Sequence, residues 1–179
     1  MANNIEVEIQ TFLSPTEAKR VRTFFNKRAR FMGSHRDSTT YFEKNGRVRI
    51  RIEPRRAYFV FKGGVMHDHH REEVEIPFDK KFVPLAERFL IALGFPVTVG
   101  WFRKREKWLW KGVTVTLDDS KGYGKLLELE KMASLIEKGR VYQMLRQRLT
   151  TLRLQPTPRK ELNKRFRHYL KHWKMLTKA

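Results

Sequence analysis

Ile5-Glu6-Val7-Glu8-Ile9-Gln10 alternates strictly, apolar at 5, 7 and 9 and polar at 6, 8 and 10. A period of two marks a β-strand with one packed and one polar face. The polar face opens with two carboxylates, about 6.5–7 Å apart along the strand. Like charges so placed repel unless a cation sits between or opposite them. The stretch is therefore either a solvated edge strand with acidic gatekeepers or a wall that faces cations from elsewhere in the chain.

Working outward, the same period returns with other charges. Arg47-Val48-Arg49-Ile50-Arg51-Ile52-Glu53 puts three arginines on its polar face. Arg71-Glu72-Glu73-Val74-Glu75-Ile76-Pro77 aligns Arg71, Glu73 and Glu75. Phe95 to Trp110 reads as one long strand or two joined by a bend, with Arg103 and Arg105 at polar positions. Leu126-Leu127-Glu128-Leu129-Glu130 again spaces two glutamates by two. Ser38 to Glu43 (closed by the turn Lys44-Asn45-Gly46), Ala57 to Lys62 and Val113 to Leu117 complete about eight strands. Ser14, Pro15 and Glu17 read as N-cap, first helical position and capping-box partner of a helix that Gly33 ends. A second helix is expected over Asp79–Leu93 and a third over Met132–Leu149. A linker with two prolines spans Thr151–Pro158, and a basic helix runs from Arg159 to Lys178. One open sheet could turn all these charges to solvent. The alternative is a closed barrel with a charged interior and helices outside. Such an interior, with carboxylates and arginines together, needs metal ions and an oligoanion to be electrically sensible.

Composition sets the bounds. The chain has 179 residues, 40% of them hydrophobic, enough for a real core. No apolar run approaches the length of a membrane span, and the N-terminus lacks the pattern of a signal peptide. Cysteine is absent, which excludes disulfides and thiolate metal sites. A cytoplasmic protein is the expectation, with no membrane partner. The formal net charge of +20 calls for an anionic partner: nucleic acid, polyphosphate, nucleotide or an acidic membrane surface.

Six segments together carry a family resemblance. Glu6-x-Glu8-x-Gln10 is similar to the ExExK signature of the CYTH superfamily, the triphosphate tunnel metalloenzymes named for class IV adenylate cyclase and thiamine triphosphatase. Arg49-Ile50-Arg51 resembles the family's LRIR strand, and Phe61-Lys62-Gly63 its YKG strand end. Arg71-Glu72-Glu73-Val74-Glu75 resembles REExE, and Arg103-x-Arg105-x-x-Trp108 resembles KxRxxY. Leu117-Asp118 with Gly122-Tyr123-Gly124-Lys125-Leu126-Leu127-Glu128-Leu129-Glu130 matches the spacing of LDxVxGLGxFxEIE. The likeness covers roughly residues 3 to 150.

The resemblance implies an α+β fold: a closed antiparallel eight-stranded β-barrel, the triphosphate tunnel, flanked by helices and followed by a basic C-terminal helix. It implies a tunnel domain over residues 1–150, with 151–179 as linker and helical extension. It implies a metal-dependent enzyme acting on a nucleoside triphosphate, thiamine triphosphate or inorganic triphosphate or polyphosphate, as a class IV adenylate cyclase or a tunnel triphosphatase. Glu6, Glu8, Glu73, Asp118, Glu128 and Glu130 are then the expected ligands of Mg²⁺ or Mn²⁺. Arg49, Arg51, Lys62, Arg71, Arg103 and Arg105 are the expected phosphate binders, because arginine offers forked donors to phosphate oxygens.

One signature position departs. Gln10 stands where the resemblance implies a lysine, and an amide cannot neutralise a phosphate. The alternative reading is therefore a CYTH-like module with weakened chemistry that binds polyphosphate, nucleotide or nucleic acid. His67, His69 and His70 with Asp68 read as a polar loop at the barrel mouth. Trp101, Trp108 and Trp110 read as core on exterior strand positions. Leu162, Phe166, Tyr169, Leu170, Trp173 and Leu176 form an apolar stripe on the tail helix, which packs it on the barrel or leaves its basic face for nucleic acid.

Overall fold

The computed structural model describes residues 5–42, 47–64 and 69–178, the side chain of His70 excepted. The turn expected at 44–46 and most of the histidine loop lie outside the described residues. The elements run β1 (Ile5–Leu13), α1 (Pro15–Arg28), β2 (Arg30–Tyr41), β3 (Val48–Ile52), β4 (Ala57–Lys62), β5 (His70–Phe78), a 3₁₀ turn (Lys80–Phe82), α2 (Val83–Ala92), β6 (Val99–Trp110), β7 (Val113–Ser120), β8 (Gly124–Ala133), α3 (Lys138–Thr151) and α4 (Arg159–Leu176).

The eight strands close into a ring in the order β1-β5-β4-β3-β2-β6-β7-β8, every neighbouring pair antiparallel. The apolar rows point outward. Val7, Ile9, Val113, Val115, Leu127 and Leu129 are fully buried under α1 and α3, which contribute Val21, Phe25, Leu145 and Leu149. Trp108 and Trp110 lie in this layer against Phe25. A second layer sets Val83, Ala86 and Leu90 of α2 over Ile50 and Ala57. The hydrophobic cores thus sit outside the ring, and the polar rows are left to fill its interior.

Several boundaries differ from the sequence reading. Helix α1 has the expected capping box, Ser14 and Glu17 bonding reciprocally, but it ends at Arg28, not at Gly33. The chain enters β2 at once, and Gly33, at φ +134°, sits where the β2–β6 register shifts between Phe31 and Gly33. That geometry suits glycine at a bulge. The Asp79–Leu93 segment is split: Asp79 caps a 3₁₀ turn through Lys81 N–H, and α2 starts only at Val83. Residues 132–133 belong to β8, because Ile5 and Glu6 of β1 extend the ladder to Ala133 and Met132. Helix α3 begins at Lys138, behind a turn in which Glu137 N–H donates to Ser134 Oγ.

Helix α4 lies across one end of the ring. Phe166 and Tyr169 are buried with Tyr41, Val99 and Trp101, and the Tyr169 hydroxyl donates to Gly100 O at 3.0 Å. The approach is close enough that a Cβ on Gly100 would lie 2.7 Å from the Trp173 ring. The segment before α4 is tied to β1 as well, with Thr157 N–H donating to Gln10 O. Trp101 departs from the expected exterior position. It is on the inward row of β6 and lines the end of the tunnel that α4 covers.

Candidate triphosphate tunnel

The inward rows enclose a cavity of about 380 Å³. All twelve charged residues singled out in the sequence line it: Glu6, Glu8, Glu73, Asp118, Glu128 and Glu130, and Arg49, Arg51, Lys62, Arg71, Arg103 and Arg105. The registers explain why they meet. Glu8 pairs with Glu130 and Gln10 with Glu128 across β1 and β8. Glu6 pairs with Arg71 and Lys62 with Glu73. Because the ring order is fixed, β8, β1 and β5 form an acidic arc, and β3 and β6 carry their arginines on either side of β2, across the tunnel.

The acidic arc is short of cations. Lys62 Nζ is bonded to Glu6 Oε2 at 2.6 Å and lies 3.3 Å from Glu73 Oε1. Burial opposes the charge on Lys62, but Glu8, Glu6 and Glu73 outweigh it and hold the ammonium protonated. Burial likewise pushes Glu6 up, but Lys62 and a hydrogen bond from Glu73 bring it below the usual carboxylate range. Glu73 is the partner that keeps its proton, pushed up to about 8 by burial and by Glu6. Burial also pushes Glu8 up to about 8, with Glu6, Glu128 and Glu130 adding to Lys62's failure to compensate. Glu130 is raised by burial, Glu6 and Glu128. Gln10 Nε2 donates to Glu128 Oε1 at 2.9 Å and to Glu8 Oε1 at 3.3 Å. Its own Oε1 is buried with no hydrogen-bond partner.

The basic arc is held by counter-charges. Arg105 forks onto both oxygens of Asp118 at 2.7 Å and reaches Glu128 at 2.8 Å. Arg103 bonds Asp37 at 2.8 Å and Asp118 at 3.2 Å. Asp118 is 2% exposed with both oxygens engaged, so it aims the two arginines. Arg51 forks onto Glu75 and lies 4.7 Å from the centroid of the Tyr58 ring, and Arg49 lies 4.5 Å from that of Tyr41. Arg71 is buried and donates to the carbonyls of Gly63 and Lys62, which fixes the strand end that carries Lys62.

Four tunnel residues escaped the sequence reading: His35, Asp37, Glu53 and Lys107. His35 and Lys107 line the cavity as Glu53 does, and Asp37 is buried beneath Arg103, with His35 Nε2 3.5 Å from its Oδ2. On β2 the signal was a bare alternation, His35, Asp37, Thr39, Tyr41. Its other face, Ser34, Arg36, Ser38 and Thr40, has no apolar residue; Ser34 and Arg36 are exposed, and Thr40 donates to Glu87 of α2. His69 lies tilted against Tyr142 with ring centroids 4.7 Å apart.

The sequence matches the CYTH domain family over residues 4–157. The chain belongs to the CYTH family. Solved structures share the fold. The PH1819 protein of Pyrococcus horikoshii OT3 is 24% identical, with 86% of this chain and 93% of that one covered at a TM-score of 0.71. A putative adenylate cyclase of Vibrio parahaemolyticus is 16% identical, covering 90% of this chain and 99% of its own at 0.70. The putative adenylyl cyclase HpAC1 of Hippeastrum, described with a dominant triphosphatase activity, is 16% identical, covering 86% and 90% at 0.62. No curated protein matches the chain. Among the described residues no helix is long and apolar enough to cross a membrane.

Proposed function

We propose that this CYTH protein hydrolyses a triphosphate chain in its tunnel with Mg²⁺ or Mn²⁺. The observation that carries the reading is the facing of two arcs, arginines on β3 and β6 and carboxylates on β8, β1 and β5, around one enclosed cavity. A triphosphate carries about four negative charges, and the arginine arc offers planar donors to oxygens on successive phosphorus atoms. Their ion pairs with Asp37, Asp118 and Glu75 hold the guanidinium groups in place before any ligand enters. A preorganised set of donors is the largest contribution a protein makes to phosphoryl transfer.

The acidic arc fits a hard divalent cation. Its donors are all oxygen: Glu8 and Glu130, with the unpartnered Gln10 Oε1 beside them and Glu128, which Arg105 also holds, at the edge of the set. Among the described residues no three acidic or histidine side chains already converge on one point. That suits Mg²⁺, which keeps several waters and takes one or two carboxylates plus substrate phosphates. Bound there, the cation would supply charge neutralisation and polarisation at phosphorus. Glu6 and Glu73 are engaged with Lys62, and Asp118 with its arginines, so they stand behind this set. Hydrolysis is favoured over cyclisation because the rings at the covered end, Trp101, Tyr123 and Tyr169, already pack on one another at 4.5–5.5 Å. The charged section alone suffices for water to attack the terminal phosphorus, releasing phosphate and leaving a diphosphate.

The test is phosphate release from tripolyphosphate, thiamine triphosphate and ATP, with Mg²⁺ or Mn²⁺ and with chelator. Metal-dependent release is expected. The double variant Glu8→Gln/Glu130→Gln should lose at least tenfold in kcat/KM yet keep its melting temperature, since glutamine is close in shape to the protonated acids. Cyclic nucleotide and pyrophosphate from ATP would assign cyclisation instead. A second reading, a binding module, is favoured by Gln10; calorimetric binding of tripolyphosphate without turnover would establish it.

A further inference from the structure

The tunnel does not account for the charge of this protein. Eight carboxylates and seven Lys or Arg side chains line it, so the whole of the +20 lies elsewhere. The most ordered part of the excess is on α4. Lys160, Lys164, Arg167, Lys171 and Lys174 recur at steps of four, three, four and three, and all five are exposed. At about 100° per residue they fall within roughly 40° of one line along the helix. Lys178, just beyond Thr177, continues it. The opposite side of the helix, Leu162, Phe166 and Tyr169, is buried on the end of the tunnel. The only acid on the helix, Glu161, is taken by Arg165 at 2.7 Å. Among the described residues no salt bridge joins a carboxylate to Lys160, Lys164, Arg167 or Lys171. Neighbouring like charges at these spacings destabilise a helix. Among the described residues only Glu161 lies near enough to the row to attract one of its members, Lys164, whereas a row of external anions would meet all of it.

We infer that the outer face of α4 is a docking surface for the phosphate backbone of duplex nucleic acid. From Lys160 to Lys174 the stripe extends roughly 21 Å, at about 1.5 Å per residue. That is long enough to meet several phosphates. Single strands are held by exposed aromatic platforms on which bases stack, and none lies on this line; Phe166, Tyr169 and Trp173 pack on the ring, and the exposed His168 and His172 lie against each other to one side of it. A membrane surface is disfavoured for the same reason, because the apolar face an interfacial helix would insert is already used inside the fold. Contacts of this kind are independent of sequence and dominated by counterion release.

The experiment is fluorescence anisotropy with a 20-base-pair DNA duplex bearing 5′-hydroxyl ends, so that no terminal phosphate can enter the tunnel. Duplex RNA, single-stranded DNA and phosphatidylserine vesicles serve as parallel probes. The triple variant Lys164→Gln/Arg167→Gln/Lys171→Gln is compared with Lys19→Gln/Lys27→Gln/Arg28→Gln on α1, which removes the same charge. The α4 variant should keep its melting temperature, bind duplex at least tenfold more weakly, and lower the log–log salt slope by about 2–3, near 0.9 for each lost phosphate contact. Equal losses in the α1 variant, tighter binding to single strands, or binding to vesicles but not to duplex would each overturn the assignment.

Discussion

Gln10 shows how one side chain can change the electrostatics of a tunnel without changing its shape. Its amide nitrogen bridges Glu8 and Glu128, and its oxygen is left without a partner. A lysine ammonium there would reach the same two carboxylates with a full charge, and a phosphate oxygen on the open side. A charge-assisted contact is worth on the order of 1.5–3 kcal/mol, so Gln10→Lys should raise kcat/KM for tripolyphosphate more than tenfold if the contact is made in the transition state. A fall would mean that the tunnel is built around glutamine and that a lysine there competes with the metal ion. The comparison is made at matched metal and salt.

At the scale of elements, α4 is the piece whose removal can be tested without touching the charged arcs. It is held by the Tyr169–Gly100 bond and by a contact that leaves no room for a side chain at Gly100. Gly100→Ala forces the Trp173 ring away, and overpacking of this kind costs about 1–3 kcal/mol. The expected outcome is a lower melting temperature with a shift in tryptophan emission. Tyr169→Phe, which loses one hydrogen bond, should cost about 1 kcal/mol and leave the emission unchanged. Equal effects of the two would show that the close approach at Gly100 is not what seats the helix.

At the scale of the molecule, the tunnel's carboxylates tie stability to pH. Glu8 and Glu73 are raised to about 8 from a usual value of 4.5. The folded state therefore holds protons that the unfolded chain releases. Their stabilising contribution is complete below pH 4.5 and is lost as pH rises towards 8. In chelator the melting temperature should fall between pH 5 and 8. Mg²⁺ or Mn²⁺ should reverse the fall and release protons on binding, which a weakly buffered titration reads directly. A metal-free melting temperature that rises across this range would contradict the account.

The sequence by itself determined the eight strands and which charges share a face; that those faces turn inward was decided by the closing of the ring. Each inner charged row is coupled, at a period of two, to an outer apolar row that must be buried, so parity alone assigns the faces. Residues 47–53, 71–77 and 126–130 were legible for that reason. Where the outer face meets solvent the coupling fails, and His35 and Asp37 on β2 went unread. Capping at Ser14 was legible because it is local, whereas the ends of β2 and β8 depend on strands far away in sequence. Only the tertiary structure decided which carboxylates are already spent on cations and which are left over. Asp118 and Glu8 are alike in sequence terms, an acid on an inward row. One is saturated by two arginines and the other pushed up to about 8, because the closing of the ring chose their neighbours.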